Sequence, residues 1–326
     1  MGKGRFDHIY DLANPVIFTH GDTDGLSAAA IAVRAFNRKK LDVEVVITQP
    51  FSLHNDLSKY DESHNCIIMD LAITNRTKEM LTPGTIIIDH HPSTGDYLRE
   101  LEDRGMFVAF DIRKSASQLV YNILGSGKID KYLSRLGAAG DWIITNNELG
   151  KQSSLLASSM SLTPDDDGMR YYILGNLVVG NTVWQMKEAS KRSKLAFKKL
   201  DKIREEYTNY YEDDVFLMRF YQDGFGFASI LANKLHKEHN KVSFAVCPLD
   251  SRTTDLLVTA RAPDDNNMDL KRLLKKFFDW GGYSGGHKKA ASGVLPESKI
   301  FEFFQHLSSI TEKRKKRKKK KKKNKR

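Results

Sequence analysis

Four short segments of the 326-residue chain bring aspartate and histidine together at close spacing. They are His20-Gly21-Asp22-Thr23-Asp24-Gly25, Asp70 at the end of Cys66–Leu71, Asp89-His90-His91, and Gly140-Asp141. Any one such aspartate commonly serves as a turn or cap residue. Gathered at one place, four or more carboxylates repel one another unless cations neutralise them. Carboxylate oxygen with imidazole nitrogen, and no thiolate, suits Mn²⁺, with Mg²⁺ or Zn²⁺ as weaker options. The donors suffice for two ions roughly 3.5–4 Å apart, bridged by one carboxylate, with a water between them ionising at neutral pH. Such a pair stabilises both the attacking and the leaving oxygen of a phosphoryl transfer.

The elements around these segments decide whether they can converge. Pro15–Thr19, Val43–Ile47, Cys66–Leu71, Thr85–Asp89 and Met106–Phe110 read as strands. Their continuous β-branched runs, without polar alternation, predict burial on both faces. Gly25–Arg38 reads as a helix, as do Thr74–Leu81, with Thr74 as its N-cap, and Ser115–Leu124. Strands alternating with helices predict an α/β layer with a mostly parallel sheet flanked by helices. In such sheets ligands bind at the carboxyl ends of the strands. His20, Asp70 and Asp89 to His91 all fall at strand ends, and adjacent strands lie about 4.8 Å apart.

Beyond Asp141 the pattern changes. Leu155 to Tyr211 is read as helical, with Val183–Tyr211 as one long polar connector helix. Strand patterns return at Val215–Phe220, Val242–Val246 and Leu256–Ala260, then an amphipathic helix over Asp269–Phe278 and a glycine-rich turn at Gly281–Gly286. The expected plan has residues 1–182 as the catalytic α/β domain and 183–212 as a helical connector. A smaller mixed α/β domain follows over 213–312, and a disordered Lys/Arg tail over 313–326.

The net charge of +11 is concentrated in that tail, where thirteen of fourteen residues are Lys or Arg, leaving the first 312 residues at −2. This excludes a wholly basic nucleic-acid coat and suggests a tether that neutralises backbone phosphates. Two cysteines, Cys66 and Cys247, make neither a disulfide framework nor a zinc-finger set, and read as small buried hydrophobes. No apolar run approaches the roughly 18 residues of a membrane span, and residues 1–12 lack a signal-peptide core. A soluble, cytoplasmic protein without a membrane partner is expected.

The motifs resemble those of the DHH phosphoesterases. Asp89-His90-His91 is similar to the family signature, and the HxDxDG pattern at His20–Gly25, Asp70 and Gly140-Asp141 follow in the family's order. Gly285-Gly286-His287, followed by Lys288–Gly293, resembles the GGH motif of the DHH-associated C-terminal domain. The resemblance implies that His20, Asp22 and Asp70 hold one ion, and that Asp24, Asp70, His90 and Asp141 hold the other, with Asp70 bridging. His91 would face the substrate phosphate as a catalytic polariser or proton donor, and Asp89 would orient the histidines. Arg261, Gly285, Gly286, His287 and Lys288 would bind the substrate phosphate or base. One departure is that Tyr283-Ser284 interrupts the glycine run, so Tyr283 either stacks on a base or packs against its domain.

Within the family the motifs look like those of short archaeal RecJ-like proteins. The resemblance therefore implies a Mn²⁺-dependent exonuclease on single-stranded DNA or RNA, working with two Mn²⁺ (or Mg²⁺) in replication or repair. One alternative is a nanoRNase-like hydrolase of short oligonucleotides or small phosphoesters. Another is a scaffold docking on a helicase or other replication or repair protein.

Overall fold

Strand residues that are apolar on both faces need two cores, and the first half of the chain builds them. The structure, a computed structural model, describes residues 3–61, 63–249 and 254–323. It divides into two units, Met1–Ala196 and Phe197–Arg326. After a 3-10 helix (Lys3–Tyr10), the first runs through β1 (Pro15–His20), α1 (Thr23–Arg38), β2 (Glu44–Thr48), α2 (Leu53–Leu57), β3 (Asn65–Met69) and α3 (Asn75–Met80). It continues with β4 (Ile86–Asp89), α4 (Pro92–Gly95), α5 (Leu98–Asp103), β5 (Phe107–Phe110) and α6 (Ala116–Leu124). Helices α7 (Gly127–Gly140), α8 (Asn147–Ser161), α9 (Gly168–Val179) and α10 (Lys187–Glu205) follow, and α10 carries the chain into the second unit.

The five strands form one all-parallel sheet in the order β2-β1-β3-β4-β5. Successive side chains on a strand point to opposite faces. Ile17, Ile67, Met69, Ile86 and Ile88 join the core beneath α1, α6 and α7, while Phe18, Ile68 and Ile87 join Leu53, Leu57 and Leu101 on the other face. Covering both faces explains the unbroken apolar runs. The chain leaves β1 to one side for β2 and returns on the other side as β3. A ligand site is expected at the carboxyl ends beside that switch, where β1 ends in His20 and β3 runs into Asp70. The N-caps expected of Thr74 and Ser115 form: Thr74 Oγ1 accepts from Thr77 N, and Ser115 and Gln118 make a reciprocal capping box.

The stretch read as one helix over Val183–Tyr211 is instead a 3-10 turn (Val183–Gln185), α10, and a strand, β6 (Thr208–Glu212). Thr208, Tyr210 and Tyr211 favour an extended chain, and β6 pairs antiparallel with the next strand. The unit boundary thus falls inside α10 rather than at either end of a connector.

The second unit contains β6, β7 (Phe216–Phe220), α11 (Ala228–His239), β8 (Val242–Pro248), β9 (Asp255–Arg261), α12 (Leu270–Leu274), β10 (Tyr283–Gly286), β11 (Ala290–Pro296) and α13 (Ile300–Lys323). Its mixed sheet runs β10-β11-β9-β8-β7-β6, and only β7 and β8 are parallel. A parallel pair needs a crossover, which α11 supplies. Phe216, Phe244, Phe277 and Phe303 fill the core. Asp269–Phe278, expected as one helix, divides into α12 and a 3-10 segment (Lys275–Trp280), and the expected glycine turn is largely strand β10.

The tail also departs from expectation, because α13 runs on through Lys313–Lys323. Its first turns are anchored by buried Ile300, Phe303 and Leu307. Extending an existing helix is far easier than nucleating one, and Lys and Arg are good helix formers. Residues 324–326 of the expected tail lie outside the described residues. Both cysteines are free thiols, and burial pushes Cys66 up to about 11 and Cys247 to about 12. Among the described residues no helix is long and apolar enough to cross a membrane.

Candidate metal centre

The site is assembled from strand ends and helix termini of the first unit. β1 ends in His20, and two residues later Asp22 caps α1, its Oδ1 accepting from Asp24 N and Gly25 N at 3.0 Å each. Asp24, in the first turn of α1, turns inward. Its Oδ2 accepts from Ala116 N at 2.7 Å and its Oδ1 from Ser117 N at 3.2 Å, so it also satisfies the N-terminus of α6. Asp70 follows β3 in a left-handed conformation, φ +57°. Asp89 is the last residue of β4, and Asp141 is the C-cap of α7.

Asp70 is the hub. Its Oδ2 lies 3.9 Å from His20 Nδ1, and its Oδ1 lies 3.3 Å from His90 Nε2. His20 Nδ1 is 2.9 Å from Asp22 Oδ2, and His90 Nε2 is 3.2 Å from Asp141 Oδ2. Two groups result, each with ligand atoms within 4.8 Å of one another: His20, Asp22, Asp70; and Asp24, Asp70, His90, Asp141. A third, Asp70, Asp89 and His91, meets the same limit, so Asp70 is common to all three.

These donors fit divalent cations. Both Asp70 carboxylate oxygens are buried and accept no hydrogen bond from the protein. Buried polar atoms are rarely left so, and a bridging carboxylate is a position where cations would satisfy both oxygens. The set is oxygen and imidazole throughout, as hard and borderline divalent ions require.

Gathered this closely, the groups shift one another's ionisation. Burial, with the charges of Asp22 and Asp24, raises Asp70 well above the usual carboxylate range. Burial and the Asp141 charge push Asp24 up to about 7. Burial opposes charge on His20, yet Asp22, Gln49 and Asp141 carry it to about 9. His90 is likewise opposed by burial, but the neighbouring carboxylates of Asp141 and Asp70 lift it to about 12. For Asp22, desolvation resists ionisation, and His20's charge and hydrogen bond outweigh it, holding the carboxyl below its ordinary range.

Asp89 is fully buried, and its Oδ1 holds His91 Nδ1 at 2.7 Å while its Oδ2 accepts from Thr94 Oγ1 at 2.5 Å. Burial would raise its carboxyl, but His91 and Thr94 hold it below the usual range. A metal- or substrate-facing imidazole is commonly fixed in this way by the bond at its other ring nitrogen.

Sequence reasoning missed three supporting groups. Gln49 Oε1 lies 2.9 Å from His20 Nε2. Gln49 directly follows β2, so the strand-end rule would have found it had neutral amides been considered. Thr94 steadies Asp89, in the α4 helix that follows the two histidines. Gly137 on α7 is required by close approach, because a Cβ there would sit 2.3 Å from both Asp24 Oδ1 and Ser117 Oγ.

In the second unit, Arg261 ends β9. Its Nε donates to Asn233 Oδ1 at 2.8 Å, and its terminal nitrogens donate to Ala260 O at 2.9 Å and Ser229 Oγ at 2.6 Å. None of these partners is charged, and burial lowers the guanidinium to about 10. Gly285 and Gly286 close β10, Gly286 at φ +117°, and His287 N donates to Ala290 O at 2.7 Å across a tight turn to β11. Lys288 is exposed on that turn. Lys289 instead donates to the carbonyls of Pro263 at 2.6 Å and Asp264 at 2.9 Å, so its charge pins a loop.

Residues 14–140 match the model of the DHH family, N-terminal domain. No curated protein matches the sequence. Among solved structures the chain is similar to the DHH domain of a member of the s1p family of ribosomal proteins: TM-score 0.65, 15% identity, covering 94% of this chain and 88% of that one. It is also similar to RecJ from Thermus thermophilus in complex with Mn²⁺: TM-score 0.61, 16% identity, covering 95% of this chain and 53% of that one. A manganese-bound exonuclease RecJ gives a TM-score of 0.60 at 16% identity, covering 94% and 93%. At these identities the likeness is one of fold.

Proposed function

We propose that the chain, whose residues 14–140 match the model of the DHH family N-terminal domain, is a divalent-metal-dependent phosphodiesterase, a RecJ-like exonuclease on single-stranded DNA or RNA. The observation that carries the reading is Asp70: a buried carboxylate, unbonded at both oxygens, with His20 on one side and His90 on the other. A structural aspartate would be satisfied by the protein; one that shares two cations would not.

In this reading His20, Asp22 and Asp70 hold one ion, and Asp24, Asp70, His90 and Asp141 the other. When bound, two Mn²⁺ or Mg²⁺ ions supply Lewis acidity at the phosphate and lower the pKa of water. Asp89, held ionised, fixes Nδ1 of His91. His91 then presents its other nitrogen, Nε2, to a phosphate oxygen and hands a proton to the leaving oxygen. Arg261, bonded among the described residues to neutral groups, contributes a cation for a substrate phosphate, and the Gly285–Lys288 turn offers backbone N–H groups and an exposed ammonium. The Lys/Arg run of α13 gathers nucleic acid without reading sequence.

The test is digestion of 5′- and 3′-labelled DNA and RNA, from two nucleotides to several tens, with Mn²⁺. Stepwise release of mononucleotides from long single strands is expected, lost in Asp89→Ala/His90→Ala. No hydrolysis at any length, or full activity in that double variant, refutes the proposal. Activity confined to two- to five-mers replaces the exonuclease with a short-oligonucleotide hydrolase.

A further inference from the structure

The glycine between the first two ligands of the cluster is there for a side chain that the metal reading does not use. Gly21 separates His20 from Asp22 and is not among the left-handed residues, so its backbone does not call for glycine. Space does. A Cβ at Gly21 would lie 2.6 Å from Nε and 2.7 Å from Cδ of Arg170, and 3.1 Å from Cγ2 of Ile47. At Gly25 the crowding atoms belong to the adjacent His20 backbone, whereas at Gly21 the tightest belong to an arginine on α9, 149 residues along the chain.

The Arg170 side chain is 12% exposed. Its Nε donates to Gly21 O at 3.2 Å, just past the last residue of β1. Its Nη1 donates to Pro164 O at 3.1 Å and Asp166 O at 3.4 Å, and pairs with Asp167 Oδ1 at 3.0 Å. One guanidinium thus ties the turn between α8 and α9 to the segment that carries two ligands of one group. The flanks of that segment are held separately, His20 by Gln49 and Asp22 by its cap on α1. The residue between them has the widest backbone freedom of any, and rotation there would swing His20 against Asp22. No ligand of the other group sits on these three residues: Asp24 lies in α1, Asp70 after β3, His90 after β4 and Asp141 at the end of α7.

We propose that Arg170 is a positioning residue for the ion held by His20, Asp22 and Asp70, and that position 21 is glycine in order to admit it. The proposal rests on the two-ion reading above and deepens it: the two ions are supported unequally, and α9 governs one of them. Glycine lets the guanidinium reach the backbone but would by itself loosen the segment; the bond from Arg170 restores the rigidity that glycine gives up. The clamp grips a main-chain carbonyl, so it fixes the spacing of both ligands without competing for either side chain. Groups that orient metal ligands from behind in this way act on affinity without touching the ion.

The experiment titrates the full chain, stripped of metal, with Mn²⁺ as wild type, Arg170→Ala, Gly21→Ala and the double variant Gly21→Ala/Arg170→Ala. Calorimetry counts and ranks the ions, electron paramagnetic resonance reads whether they form a coupled pair, and melting in chelator reports the fold. Wild type should bind two ions as a pair. Arg170→Ala and Gly21→Ala should each keep one ion at the wild-type Kd and hold the other about 10- to 100-fold more weakly, with the paired spectrum giving way to that of a single Mn²⁺. Gly21→Ala removes none of the bonds from Arg170 to the α8–α9 turn, so it reads the clamp even if Arg170→Ala melts early. In the double variant the methyl should cost little further, because the atoms it strikes are gone. Equal weakening of both ions, two undiminished ions in Arg170→Ala, or a Gly21→Ala loss as large without Arg170 as with it overturns the positioning role and leaves the two-ion reading standing. A wild type that binds no Mn²⁺, or one ion alone, overturns that reading and the positioning role with it.

Discussion

Asp70→Asn should make the metal-free protein more stable and the Mn²⁺-loaded protein less so. Asparagine matches aspartate in size and tolerates the left-handed backbone at φ +57°. The native carboxyl is 2% exposed, and burial with the charges of Asp22 and Asp24 raises its pKa. The folded state therefore keeps a proton that the unfolded state releases above pH about 4. Its contribution is fully present below that pH and is lost as pH rises towards the folded pKa, at up to about 1.4 kcal/mol per unit. Asparagine is neutral at every pH and escapes that cost, at about 1.4 kcal/mol for each pH unit of the window. At about 2–4 °C per kcal/mol, the variant should melt at least roughly 3–6 °C above wild type in chelator at pH 8, and level with it near pH 4. Wild type with Mn²⁺ at about a hundred times Kd gains about 2.7 kcal/mol per ion, and the variant, lacking the shared ligand, should lose most of that. Differential scanning calorimetry at both pH values, with chelator or Mn²⁺, reads the reversal of order. A variant less stable than wild type in chelator at pH 8, or one keeping the full Mn²⁺ shift, refutes the bridging role.

Gln49→Ala frees His20 Nε2 and should weaken Mn²⁺ binding about 10- to 100-fold, read by titration calorimetry; an unchanged Kd would show that the bond positions nothing. Gly137→Ala drives a methyl into Asp24 Oδ1 and Ser117 Oγ and should cost about 1–3 kcal/mol, together with metal affinity; wild-type melting and binding would show that α7 can move aside. Truncation after Glu312 removes thirteen positive charges and should flatten the salt dependence of oligonucleotide binding. Single-turnover chemistry on a saturating short substrate should be unchanged, and a lost rate there would give the run a role in the reaction.

The parallel sheet was legible because its strands are buried on both faces, which leaves unbroken runs such as Thr85–Asp89. The aspartates and histidines were legible because they punctuate those runs. Strand β6 was not, since Thr208–Glu212 is an edge strand with both faces largely exposed, so no burial period marks it off from the polar helix before it. The link between Asp24 and the N-terminus of α6 spans 92 residues. The Ser115–Gln118 capping box announces that terminus locally, but nothing local announces what docks on it. Gln49 was invisible for a chemical reason: a neutral amide after a strand is ordinary until an imidazole lies against it. The helical Lys/Arg run shows that charge composition alone does not end a helix already anchored upstream by Ile300, Phe303 and Leu307.

The cluster keeps four carboxylates together by giving them different partners, and this explains why Asp70 is the informative position. Asp22 lies on the N-terminus of α1 and Asp24 on that of α6, where backbone N–H groups and the helix dipole favour negative charge. Both therefore cap as well as face the site, and substituting either would confound lost metal with a lost helix cap. Asp141 sits at the unfavourable, C-terminal end of α7 and leans on His90. Asp70 is bound to no helix terminus and to no backbone donor; it lies between His20 and His90 with both oxygens unbonded. Helix N-termini can preorganise the flanks of the cluster, but they do not reach its centre. The centre is where added positive charge would relieve most repulsion, and where removing a carboxylate would relieve it without a cation.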